Sequence, residues 1–85
     1  MEFDNYLQYL VQRDLGENAL RVTKRALERF NSFLHNESVV DLEVVDGPLL
    51  LRYAETLSNL KPSTIRHQLF IVCRYLDYVD STRQD

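Results

Sequence analysis

The stretch Lys61-Pro-Ser-Thr-Ile-Arg-His-Gln-Leu-Phe-Ile-Val-Cys-Arg-Tyr-Leu-Asp-Tyr-Val79 decides the fold. Its apolar residues Ile65, Leu69, Val72, Leu76 and Val79 recur at alternating four- and three-residue steps. On a helix they form one stripe, whereas on a strand they would scatter over both faces. Ser63, Arg66, His67, Phe70 and Arg74 then fall on the opposite side. Pro62 stands in the first turn, where its missing N–H costs no hydrogen bond, with Ser63 and Thr64 beside it. A long amphipathic helix is the expectation, followed by a polar tail, Ser81-Thr-Arg-Gln-Asp85.

Upstream, Ser58-Asn59-Leu60 interrupts the pattern. Asp46 is a natural N-cap for a preceding helix, because its carboxylate can accept from free first-turn amides, and Pro48 sits inside the start. That helix is expected to reach about Leu57 and to bury Leu50, Tyr53 and Leu57. Residues 36–45 read as a connection with Val40, Leu42 and Val45 tucked inward; a short strand there would have no partner. From Glu17 or Asn18 to about His35, Leu20, Leu27, Phe30 and Leu34 line one side, with Arg21, Arg25, Glu28 and Ser32 opposite. A first helix over 2–12 carries Phe3, Leu7 and Leu10, flanked by Tyr6 and Val11, and Gly16 is read as its stop. With two glycines and two prolines in 85 residues, the expectation is an all-α bundle of four or five helices, a single domain over residues 1–80, with 81–85 read as the start of a linker.

Composition narrows the function. The single cysteine, Cys73, rules out an internal disulfide and fits a reducing, cytoplasmic setting; inside its apolar run it is expected to be a buried, inert thiol. No apolar run has the length of about 20 residues needed to span a bilayer. His35, His67 and Cys73 lack zinc spacing, and no phosphate loop, catalytic triad or apolar carboxylate pair is present, so neither catalysis nor a cofactor is expected. The remaining tyrosines, Tyr53, Tyr75 and Tyr78 among them, read as packing residues.

The formal net charge of −3 is unevenly spread. Residues 16–35 carry Arg21, Lys24, Arg25 and Arg29 against two acids, and residues 61–76 carry Lys61, Arg66 and Arg74 against none, so these segments hold +5 and the rest of the chain −8. The same segments are the two longest amphipathic helices, and their cations lie opposite the apolar stripes. If both helices present those sides together, they offer arginine and lysine to phosphates and polar side chains to base edges; otherwise they are two solvated faces. Phe70, between Arg66 and Arg74, would stack on sugar or touch a thymine methyl if exposed, but the favoured expectation packs it under a neighbouring loop such as 36–45. His67 is either a groove contact or a solvated surface histidine.

Two stretches resemble the N-terminal core-binding domain of the tyrosine recombinases, the family of phage integrases and chromosome-dimer resolvases. Leu15-Gly-Glu-Asn-Ala-Leu-Arg-Val-Thr-Lys-Arg-Ala-Leu-Glu-Arg-Phe-Asn-Ser-Phe-Leu34 is similar to a turn of Leu-Ser-Glu-Asn-Thr type leading into a helix that ends Phe-x-x-Phe-Leu. Leu60 to Val79 resembles the family's Ser-Thr-Ile opening, middle leucine and aromatic close, and a Tyr53-to-Leu57 helix lies between them in the expected order. The family's threonine in the first turn of the second helix is Ala19 here, and its tyrosine four residues on is Thr23. The resemblance implies a SAM-like bundle that clamps double-stranded DNA, supports integration and recombination, and leaves strand cleavage to a separate C-terminal catalytic domain of the same parent chain. Other recombinase protomers on the DNA are further implied partners. Carried over by position, the groove-facing residues are Arg21, Lys24 and Arg25 on the second helix and Lys61, Ser63, Thr64, Arg66 and His67 on the last, with Arg74 on a phosphate. The rival expectation is a small helical protein-interaction module without a DNA role, for which Phe70 is the natural anchor.

Overall fold

A computed structural model describes residues 3–83, leaving out the side chains of Glu43 and Arg83. Among the described residues it contains four α-helices and no strand: α1 (Asp4–Gln12), α2 (Glu17–Asn36), α3 (Gly47–Thr56) and α4 (Pro62–Arg83), with a 3₁₀ turn at Leu42–Val44 before α3. The all-α expectation therefore holds. After Asn36 ends α2, residues 37–45 form a loop that carries the 3₁₀ turn, and α4 continues through Ser81, Thr82 and Arg83, which the sequence placed in the polar tail.

The first helix ends before Gly16. Asp14 takes the left-handed conformation at φ 64°. The amide of Leu15 donates to the carbonyl of Leu10 and that of Asp14 to Val11, the pair of bonds that closes a Schellman turn. Gly16 instead precedes α2 in an extended conformation, φ −68° and ψ 161°. Ser38, at φ 57°, repeats the device after α2: Val39 donates to Leu34 and Ser38 to His35. Both turns use a non-glycine residue where glycine is the usual sign, so neither was visible from composition. The turn at Ser38 also decides which valine goes inside. Val39 packs onto the cluster around Leu34, while Val40, expected inward, is 95% exposed.

At α3 the sequence reading holds closely. The Asp46 carboxylate accepts from the Leu49 amide at 3.0 Å, and Pro48 lies in the first turn. Tyr53 and Leu57 are buried and Leu50 half-buried. At the other junction the Lys61 carbonyl accepts from the Ile65 amide to open α4.

Two adjoining clusters form the core. One joins Phe3 and Tyr6 at the chain start to Ala26 and Leu27 of α2 and Ile71 and Tyr75 of α4. The other joins Phe30 and Leu34 of α2 to Tyr53, Leu57 and Val72. Leu42 and Leu76 pack against both. The middle of α2, at Ala26 and Leu27, thus shares a cluster with the middle of α4, at Ile71 and Tyr75, and the end of α2 shares one with Ile65 and Leu69 in the first turns of α4, so the two helices are ordered in opposite senses. Ala26, the smallest side chain in the first cluster, allows close approach at their contact. Rings fasten α1 to α4: Phe3 and Tyr6 meet Tyr75 edge-on at 5.3 and 5.1 Å, and Tyr6 and Tyr9 each lie 4.9 Å from Tyr78.

Candidate nucleic-acid interface

Helical spacing puts the nine residues singled out from the sequence on or beside two helices that pack on each other. Arg21, Lys24 and Arg25 project from the outer side of α2, and Arg66, His67 and Arg74 from that of α4; all six are exposed, as are Lys61 and Ser63, while Thr64 is half-buried. Thr23, on the inner side of α2, is buried.

The opposed order of α2 and α4 divides these residues into two groups. Arg21 and Lys24 rim a 480 Å³ groove floored by Leu7, Val11 and Leu20 between α1 and α2. Arg74 lies toward this end of the molecule, because it lines one cleft with Leu10, Arg13 and Leu15, around the junction of α1 and α2. Lys61, Ser63, Arg66 and His67 stand toward the other end, where Ile65 packs into the cluster of Leu34 and Tyr53. Arg74 therefore belongs with the start of α2 rather than with its own helix's first turns.

None of these cations forms an ion pair among the described residues; the surface pair present joins Arg52 to Glu37, away from them. Arg74 instead lies with its guanidinium 5.7 Å from the centre of the Phe70 ring. Phe70 is 60% exposed, which corrects the expectation that it packs under residues 36–45. That loop sends Val39, Leu42 and Val45 into the cluster around Phe30 and Tyr53, and Phe70 points to the outer side of α4. Cys73 is likewise exposed, not buried. Val72 points into the core, and the next residue on a helix is turned about 100° away from it; apolar neighbours in sequence do not share a face.

Two further cations join the surface. Arg29 is exposed on α2 one turn beyond Arg25, a spacing of four that the helical pattern already carried. Arg13, just past α1, is also exposed and lies over the Tyr9 ring at 5.3 Å. It falls outside both basic segments, and only the packing of α1 on α4 brings it to them.

Comparison of the chain with protein-family models, curated proteins and solved structures returns no match.

Among the described residues, no group of three or more histidine, cysteine or carboxylate side chains is placed to hold a metal ion, and no helix is long and apolar enough to cross a membrane. Burial raises the hydroxyl pKa of Tyr6, Tyr53 and Tyr75, partly opposed by Arg74 at Tyr6 and by Arg29 at Tyr53. These rings belong to the core clusters, and a raised pKa makes a phenol a poorer nucleophile at neutral pH.

Proposed function

We propose that this chain is a DNA-binding module of the tyrosine-recombinase core-binding kind, which grips duplex DNA through α2 and α4 and supplies no catalysis itself. The observation that carries the reading is the set of exposed cations on or beside two packed helices, Arg21, Lys24, Arg25, Arg29, Lys61, Arg66 and Arg74, none of which is neutralised by a carboxylate within ion-pair distance among the described residues. Exposed, unpaired guanidinium and ammonium groups are the donors that phosphates need, while Ser63 and His67 beside Arg66 offer hydrogen bonds to base edges. A strand-cleaving C-terminal domain on the same parent chain is part of this proposal. Affinity then comes mainly from counterion release and falls steeply with salt, from a non-specific Kd of about 10⁻⁴ to 10⁻⁶ M.

Amide-resolved NMR titration with a generic duplex at low and higher salt tests the reading. Shifts should cluster on residues 18–29 and 61–74 and fade with salt, and Arg25→Ala and Arg66→Ala should each weaken binding without changing thermal stability. Absence of any shift at millimolar duplex, or full affinity in both variants, refutes it.

Phe70 supports a second reading, a helical protein-interaction module. A ring 60% exposed on the outside of a helix is the type of apolar anchor that interface centres use. Under this reading the protein self-associates in sedimentation and Phe70→Ser abolishes the association; a strictly monomeric wild-type protein that binds DNA removes it.

A further inference from the structure

A cleft of 590 Å³ opens between α1 and the last turns of α4, lined among others by Tyr6, Tyr9, Arg13, Arg74, Asp77 and Tyr78. Arg13, just past α1, and Arg74 of α4 both line it, and neither is in an ion pair among the described residues. Each lies over a ring, Arg13 over Tyr9 and Arg74 over Phe70. A ring holds a guanidinium by its face and leaves the in-plane N–H donors unused, and those donors form the fork that fits a phosphate. Tyr9 is fixed in turn by Tyr78, so Arg13 rests on a platform that α4 holds in place. Arg74 also lies two turns beyond Arg66 along α4, about 12 Å at the helical rise per residue, so a ligand strand that passes Arg66 can continue to the cleft.

We infer that this cleft is a backbone-phosphate site, in which Arg13 and Arg74 together take a DNA phosphodiester beyond the contacts of the two groove-facing helices. The inference rests on the DNA-binding reading and adds α1 to it. Asp77, one turn after Arg74 on the same rim, opposes the anion and limits the affinity of the site.

The test is duplex binding by fluorescence anisotropy from about 50 to 200 mM salt, with the 85-residue chain and its Arg13→Ala, Arg74→Ala and Asp77→Asn variants, each checked for an unchanged melting temperature. Arg13→Ala should weaken binding severalfold and reduce the salt slope by about 1, as should Arg74→Ala, and Asp77→Asn should tighten it. If Arg13→Ala keeps wild-type affinity and slope while Arg25→Ala and Arg66→Ala lose affinity, the cleft is not a phosphate site and the groove reading stands. Loss of affinity at an unchanged slope removes Arg13 from the phosphates and overturns the inference as well. If the wild-type protein binds no duplex, the inference falls together with the reading on which it rests.

Discussion

The Asp46 carboxylate accepts a hydrogen bond from the amide of Leu49 at 3.0 Å, satisfying one of the donors that the first turn of α3 leaves without an intrahelical partner. Asp46→Ala removes that bond at an exposed site where nothing else is disturbed. The expected loss is about 1 kcal/mol, a fall in Tm of roughly 4–8 °C for a domain of this size. Thermal melts followed by circular dichroism measure it, and Asp46→Asn should recover most of the loss.

Tyr53 points its hydroxyl into the core without a hydrogen-bond partner among the described residues. Its ring packs at 5.0 Å from Phe30 and 5.1 Å from Phe33. Tyr53→Phe keeps the ring contacts and deletes the unsatisfied oxygen, and should stabilise the fold by about 1 kcal/mol. Tyr53→Ala should cost about 3–5 kcal/mol through the cavity it leaves. Urea unfolding of the two variants gives opposite shifts in midpoint; a destabilised phenylalanine variant would mean that the hydroxyl is hydrogen-bonded in solution.

Alkaline pH should unfold the protein by a route traceable to three side chains. Tyr6, Tyr53 and Tyr75 have hydroxyl pKa values raised above the ordinary 10.0, chiefly by burial. A group whose pKa rises on folding gives its full stabilisation below the unfolded value, and that stabilisation is lost as pH climbs through the folded value. These tyrosines therefore add no slope at neutral pH, and the melting temperature should fall above about pH 10. Melts across that range, with tyrosinate absorbance read in parallel, check the sign; a midpoint indifferent to pH up to about 11 contradicts it.

The left-handed residues offer a gain of stability. Ser38, at φ 57°, carries a strain of roughly 1–2 kcal/mol that glycine avoids, less the roughly 0.5–1 kcal/mol that glycine loses in backbone freedom. Ser38→Gly should therefore raise stability by about 0.5 kcal/mol, and Ser38→Val should lower it by more. Asp14→Gly, at φ 64°, should gain less, since aspartate tolerates this conformation better than serine. Denaturant midpoints of the three variants rank them.

The helices were legible because their signals are local. The stripe from Ile65 to Val79 and the cap at Asp46 each depend on residues within a few positions of one another. The turns at Asp14 and Ser38 were not, since neither residue type announces a left-handed conformation. Cys73 and Val40 were misplaced for a shared reason: an apolar neighbour in sequence says little about direction once the backbone turns by a helical step or through a Schellman loop. For the candidate interface, the outward placement of Arg21, Arg25, Arg66 and Arg74 could be read from helical periodicity. The pairing of Arg74 with the start of α2, and the arrival of Arg13 at the same end, depend on how α1, α2 and α4 pack, and no spacing within one segment encodes that.

Leu42 and Leu76 pack against both core clusters, and this has a consequence for cooperativity. Were the clusters independent, α1 with its tyrosines could melt away while α3 stayed folded, and the protein would show two transitions. With Leu76 shared, loosening either half exposes a side chain that the other half also buries, so the halves should open as one two-state unit. Whatever binds at one end of α4 then protects amides at the far end from hydrogen exchange, with no change of shape required.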